Sequence, residues 1–326
     1  MLAYAIRRFV IGIVVLFVST FVIFVMVSLS GDPLGPIKAK TPKPPPSVIH
    51  AEALRLHLDQ SIPHRYWTWL TGIFHGDFGP SVAKNLHIGP VLMDRAVVTL
   101  RLIALAMVVA LILAVIVGVI SAVKQYTPTD YSFTFVGFLF LAMPSFWLAI
   151  LLKQGGIAFN SATGSQTFFT IGDSSVSVAG GTGAHIVDIL EHMILPTISL
   201  ALISFAAWSR YTRGSMLEVM NSDYVRLARA KGLSRSRVLI KHGLRNALIP
   251  LTTVTALDIG AIIGGAVITE SVFQWHGMGD FLIQRLRHFD AYAVTGWLLL
   301  AATVVIVFNI IADLLYAVLD PRIRYA

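Results

Sequence analysis

The chain has 326 residues, 56% of them hydrophobic and only 13% charged, with a formal net charge of +8 and no cysteine. Soluble domains carry about 25% charged residues, so this chain cannot clothe a water-facing surface and is expected to be an integral membrane protein. The missing cysteines exclude disulfides, thiolate metal sites and cysteine nucleophiles.

Residues 1–29 hold Arg7 and Arg8 and then a first span, Phe9–Leu29, with no charge in 21 residues. A bilayer core ~30 Å thick takes ~20 apolar residues in a helix. The run exceeds the ~7–15 apolar residues of a cleaved signal, and no small-x-small site follows, so it is expected to stay in the membrane. Residues 30–96 form a large segment outside the membrane. KAKTPKPPPS opens it as a stiff extended stretch. In AEALRLHLDQ, Leu54 and Leu58 share a helical face, and Arg55 stands four residues before Asp59, within pairing reach. HRYWTWL gathers Tyr66, Trp67 and Trp69 ahead of GDFGPS. Such a cluster suits an anchor at headgroup level or a docking arm for an extracytoplasmic partner.

Residues 97–326 carry five more spans. Leu102–Val123, Tyr131–Leu152 and Ala291–Ala312 are uncharged runs of 22, Met193–Ser209 is a shorter 17, and Ala247–Thr269 is a 23 interrupted by Asp258. The alternation of a membrane β-barrel is absent. Pro144, Pro196 and Pro250 can kink spans three to five, where freed carbonyls need internal partners. Lys153–His192, rich in Gly, Ser and Thr, reads as an irregular loop with at most a short hairpin. In SVFQWHGMGDFLIQRLRHFDAY, the spacing of Phe281, Leu282, Leu286 and Phe289 suggests a short amphipathic helix on the membrane or across an entrance.

Charge gives the orientation. With Arg7 and Arg8 inside, the inner segments hold 14 of the 25 Lys and Arg against four acids: Asp130, Glu218, Asp223 and Asp320. Basic and acidic residues balance outside, so the excess sits on one side, as expected for two cytoplasmic termini. This distribution explains the positive charge without nucleic acid. The inner loop 210–246 concentrates it. Asn221 or Ser222 can cap a helix with Asp223 in its first turn, running YVRLARAK to Gly232. Tyr224, Leu227 or Ala228, and Lys231 lie along one side of it. Ala228 and Gly232, four apart, leave a bare strip for a close-approaching surface. Ser234 then opens a second short helix, RSRVLIKHGLRNA, leading to Pro250 and span five. The arrangement suggests an accessory socket on the inner membrane face.

Chemistry-bearing motifs are missing. GxxxxGK[ST], HExxH and GxSxG do not occur, and the ten histidines lack ligand spacing, so no cofactor, metal or catalytic site is expected. Among intramembrane polar groups, Asp258 in span five is costly and either lines or gates a pathway or makes a structural hydrogen bond. Its face continues through Ala261 and Gly265. Gly260 and Gly264 form a GxxxG suited to helix packing. Asn309 and Asp313, near the inner end of span six, fit pairing with the basic loop.

DYVRLARAKGLSRSRVLIKHGLRNALIP resembles the cytoplasmic loop of ABC importer permeases, whose signature runs Glu-Ala-Ala, three residues, Gly, nine residues, Ile-x-Leu-Pro. Arg226, Leu227 and Ala228 occupy the first three positions and Gly232 the glycine; Arg245 stands at the proline position, with Pro250 later. ARAKGLS, LRNALIP, GDFGPS, PSFWLAI, LDIG, GGAV, ESVF and NIIADLLYAVLDPRIR are similar to the dipeptide, oligopeptide and nickel branch. Local departures are Trp275-His276-Gly277 and Phe289-Asp290.

The resemblance implies an all-α fold of about six transmembrane helices, of the type I ABC importer kind, in a prokaryotic cytoplasmic membrane. It also implies a second homologous permease, two ATPase subunits and an extracytoplasmic substrate-binding protein that delivers peptides. Residues 223–232 then become a coupling helix resting in an ATPase groove, with Tyr224, Arg226, Ala228, Arg229, Lys231 and Gly232 as its working residues. Rival readings are a secondary transporter driven by protons through Asp258, a nickel-complex permease of the same branch, and a non-transporting scaffold.

Overall fold

The computed structural model describes residues 2–319, all of whose regular elements are helical. Arg322, Arg324 and Asp320, counted in the charge balance, lie outside the described residues, as does the side chain of Asp313. In chain order the helices are α1 (Leu2–Ser30), α2 (Gly35–Lys38), α3 (Pro46–Arg55), α4 (Ile62–Ile73), α5 (Ile88–Val123), α6 (Pro128–Ala142) and α7 (Ser145–Thr163). There follow α8 (Thr182–Met220), α9 (Asp223–Ala230), α10 (Arg235–Arg237), a π-helical turn (Val238–Leu244), α11 (Arg245–Leu257), α12 (Ile259–Phe273), α13 (Met278–Arg287) and α14 (Ala291–Leu319). Four of these are long and apolar enough to cross a bilayer, and two bent pairs bring the number to six.

The expected spans one, two and six match α1, α5 and α14. The third is not one straight helix: α6 and α7 meet at 106°. Clash with a proline ring drives the preceding residue out of the helical region. Met143, before Pro144, is accordingly extended (ψ 128°). Pro196 and Pro250 stay inside α8 and α11. The fifth span instead bends by 53° at Asp258. The fourth expected run is only the middle of α8, whose 39 residues reach ~58 Å, well beyond a bilayer core.

The chain divides into two compact units. One comprises residues 1–99 and 276–306. Its aromatic core stacks Phe24 of α1 against Tyr66 (5.7 Å) and Trp69 (6.5 Å) of α4 and Tyr292 of α14 (5.3 Å). The Arg65 guanidinium lies 5.5 Å from the rings of both Phe24 and Tyr292. Arg55 does not pair with Asp59, because α3 ends at Arg55; it binds Glu52 at 2.5 Å and the Ser81 carbonyl at 2.8 Å. That guanidinium holds the Glu52 carboxyl below its usual range. Asp290, fully buried before α14, accepts bonds from Ser81 Oγ (2.6 Å), Val82 N (3.0 Å) and Ala293 N (3.3 Å). It thereby clasps the GDFGPS turn to α14. The amphipathic segment expected around Phe281 is α13, with Phe281 turned inward and Leu286 exposed.

The other unit comprises residues 100–275 and 307–326. Here α8 is central and packs on α6, α7, α11 and α12. Gly118 lets α5 close on α8: a Cβ there would stand 2.6 Å from Thr212 Cβ and 2.8 Å from the Ser209 carbonyl. The loop expected over Lys153–His192 is shorter, because α7 runs on to Thr163 and α8 begins at Thr182; the remaining residues 164–181 form no strand, and several bonds tie them down. Arg101 binds Asp173 at 2.8 Å, Gly172 N donates to the Phe273 carbonyl at 3.0 Å, and Ser175 donates through N and Oγ to Asp188.

Burial raises the Asp290 carboxyl above 3.8, its ordinary value. The folded clasp therefore binds a proton more readily than the unfolded chain. Its contribution is full below about 3.8 and declines as pH rises through the raised value. Melting curves in detergent from pH 4 to 8 should show this slope, and Asp290→Asn, which keeps an acceptor oxygen, should flatten it. An unchanged slope in the variant would rule out the clasp as its source.

Candidate functional site

Helix α9 is placed by its own small apolar face. The chain leaves α8 through a tight turn, in which Asn221 N bonds the Glu218 carbonyl (3.2 Å) and Ser222 N that of Val219 (3.1 Å). Ser222 stands at the N-cap, but its hydroxyl bonds back to Val219 O at 2.5 Å and leaves the helix end uncapped by a side chain. Val225 and Ala228 are buried and pack with Val238, Val219 and Leu233. Tyr224 Oη accepts a 3.0 Å bond from Asn246 of α11. The loop is thus fastened at two points to the helix that enters span five.

The expected bare strip splits into two different things. Ala228 faces the chain's own core, so its small size serves that packing. Gly232 is exposed, and a Cβ there would meet nothing within 4 Å, but its φ is +77°. Its requirement is conformational: it ends α9 in the left-handed region that side chains disfavour. Tyr224, Arg226, Leu227, Arg229 and Lys231 are all exposed. Leu227, at 56%, is more open than Tyr224 and is the most exposed large apolar side chain on the helix. Arg226 pairs with Asp223, and because both are exposed the pair adds little stability.

A polar knot in the same unit escaped the sequence. Arg213 of α8 reaches Asp130 at the start of α6 through Nε (2.8 Å) and Nη2 (2.8 Å), while Ser121 Oγ and Tyr126 N also donate to Asp130. Asp130 is 2% exposed, and the planar guanidinium meets both of its oxygens. The two are 83 positions apart, so no local spacing announces them.

Asp258 sits at the joint between α11 and α12, and Trp208 Nε1 of α8 donates to its Oδ2 at 2.7 Å. The structural hydrogen bond is therefore present, and its donor was not foreseen. A Cβ at Gly265 would stand 3.8 Å from Leu200 of α8, whereas one at Gly264 would meet nothing within 4 Å. Gly260, Ala261 and Gly264 are exposed together with Leu257, whereas Asp258 and Gly265 are half-buried. His192 stacks on Phe169 at 4.0 Å, and no group of three potential metal ligands occurs among the described residues.

Two family models match. Residues 114–325 fit the binding-protein-dependent transport system inner membrane component, and residues 1–102 fit the N-terminal part of the membrane component of such systems. The chain belongs to this permease family. It is 38% identical to the oligopeptide transport system permease protein OppB of Mycobacterium tuberculosis (strain H37Rv), over 99% of both chains. Identity is 36% to the oligopeptide permease AppB of Bacillus subtilis over the full length of both, and 37% to the dipeptide permease DppB of Escherichia coli K12 over 85% of both. Among solved structures it resembles a chain of the inward-facing MetNI methionine ABC transporter. The TM-score is 0.56 at 15% identity, over 71% of this chain and 96% of the other. The fold is that of a type I ABC importer permease.

Two outcomes follow for this family member. Arg213→Ala should leave the buried Asp130 carboxylate without a countercharge, lowering stability by on the order of 3 kcal/mol. Exchanging the two residues (Asp130→Arg with Arg213→Asp) should recover part of the lost melting temperature in detergent; no recovery would mean the pair acts through packing alone. At Gly232, alanine should cost roughly 1 kcal/mol of loop order and asparagine less, because asparagine tolerates the left-handed region. Substrate-stimulated ATP hydrolysis by the assembled transporter should rank wild type, Asn, Ala; equal rates would refute a conformational need for glycine.

Proposed function

We propose that the chain forms the translocation path of an ATP-driven importer for peptides, as one of two homologous permease subunits. The cargo class rests on the full-length similarity to permeases named for oligopeptides and dipeptides. The observation that carries the mechanism is α9: a helix held rigidly on its inner face by Val225 and Ala228, with Tyr224, Leu227, Arg226, Arg229 and Lys231 left uncovered. Residues 210–246 are the coupling loop and 97–326 the transport core. Two ATPase subunits supply the groove that receives Leu227 and acids that meet the basic residues. When ATP draws the ATPases together, α9 moves with α8 and with the helix that begins at Arg235. That is a rigid-body switch between two states biased by a distant ligand.

Both termini lie in the cytoplasm of a prokaryotic cell, and residues 30–96 face outside. There, a cavity of about 620 Å³ lined by Glu52, Arg55, Asp77, Lys84 and His87 offers charges of both signs to a substrate-binding protein. The open face of Leu257, Gly260, Ala261 and Gly264 suits close packing by the second permease. Asp258 and Gly265 stand at and just beyond the bend of span five and gate the path by changing that bend. No cofactor or resident metal is required. A proton-driven transporter acting through Asp258 is not favoured, since its carboxylate is already engaged by Trp208.

In proteoliposomes containing both permeases and the ATPases, with binding protein and a labelled peptide outside, uptake should require ATP inside. Leu227→Glu should reduce uptake at least about tenfold while the two permeases still copurify. Accumulation of peptide by this chain alone under a pH gradient would sink the reading.

A further inference from the structure

We propose that α4, in the segment expected outside the membrane, is seated in the lipid leaflet on the Ser30 side, with Trp67 and Thr71 against acyl chains. The ruler is α1. Arg7 and Arg8 are followed by a run without charge from Phe9 to Leu29, so Phe9 marks the basic end of the hydrocarbon layer. At ~1.5 Å per residue, Phe17 and Phe24 stand about 12 Å and about 22 Å above it, and any tilt lowers both heights. The layer is ~30 Å thick. Tyr66 of α4 touches α1 between those two levels. Its Oη bonds Thr20 Oγ1 (2.9 Å) and the Phe17 carbonyl (3.1 Å), and its ring packs on Phe17, Phe21 and Phe24. Trp69, one turn on, meets Phe24. The turn that carries Trp67 is therefore below the headgroups.

The composition of α4 agrees. Its one permanently charged residue, Arg65, is 7% exposed and turned into the aromatic core. On the open face, Trp67 is 59% exposed, and the threonines beside it hide their hydroxyls in their own helix. Thr68 Oγ1 donates to His64 O (3.0 Å), and Thr71 Oγ1 to Trp67 O and Thr68 O (3.1 and 3.0 Å). Apart from exposed His64 in the first turn of the helix, this face presents no free donor or charge, as a water-poor medium selects. Exposed Asp59 in the preceding turn keeps that end within reach of the polar layer, so α4 lies along the boundary and does not cross it. Phe74, 84% exposed just past α4, extends the same face. This placement does not depend on the cargo.

The cysteine-free chain permits a direct test. Trp67→Cys and, as a second site on the same face, Thr71→Cys would be nitroxide-labelled in the assembled transporter. The complex would sit in phosphatidylethanolamine–phosphatidylglycerol vesicles, with the unsubstituted complex as background and Val14→Cys on α1 as a lipid-facing reference. Collision with oxygen should be strong and with a water-soluble nickel chelate weak at both sites, giving a depth beneath the phosphates. Strong collision with the nickel chelate would place α4 in water and overturn the proposal. Weak collision with both reagents would show a protein partner on this face and overturn it equally.

Discussion

A polar group inside this chain has no water to turn to, and that constraint decides where the helices meet. An unpaired donor or charge in such surroundings costs several kcal/mol. The joints of the structure are accordingly the places where one helix supplies what another lacks. Arg213 of α8 completes Asp130 of α6, Trp208 of α8 completes Asp258 at the bend of span five, and Thr20 of α1 completes Tyr66 of α4. Apolar packing fills the space between these points, but a slide along a greasy surface costs little, whereas a slide that breaks one of these pairs costs a great deal. The pairs set the register.

The same logic explains why α8 is the structural axis of its unit. Its middle is apolar, yet Asp188 and His192 near one end and Arg210 and Arg213 near the other all have partners in the fold. Arg210, for instance, lies 4.6 Å from the Phe138 ring. A helix anchored at both ends and leading directly into α9 can carry a displacement along its length. The fastening of α9 by Val225, Ala228 and Tyr224 completes that lever on the far side.

Hydropathy made the six spans legible, because a helix in lipid must be apolar all round and the signal is additive along ~20 residues. It located the basic loop and the turn at Ser222 for the same kind of reason: short-range rules suffice there. The bend at Asp258 and the 106° break at Pro144 were not equally readable. Proline announces itself, but Pro196 and Pro250 show that it does not always break a helix, and the actual joint at Asp258 depends on a tryptophan 50 positions away. The true length of α8 was hidden because its charged ends dilute hydropathy without ending the helix. Within the candidate site, exposure of Arg226, Arg229 and Lys231 is what their charge implies. The inward turn of Ala228 needed Val238, which only the folded loop brings beside it.

The central claim is that α9 lies on the inner face of the membrane and is the surface the ATPases grip. Leu227→Cys in the otherwise cysteine-free chain can be challenged with a membrane-impermeant maleimide in right-side-out and inverted vesicles, with and without the ATPase subunits. Modification should occur only in inverted vesicles and should fall sharply once the ATPases are bound. Labelling from the outside, or labelling that the ATPases leave unchanged, would contradict it.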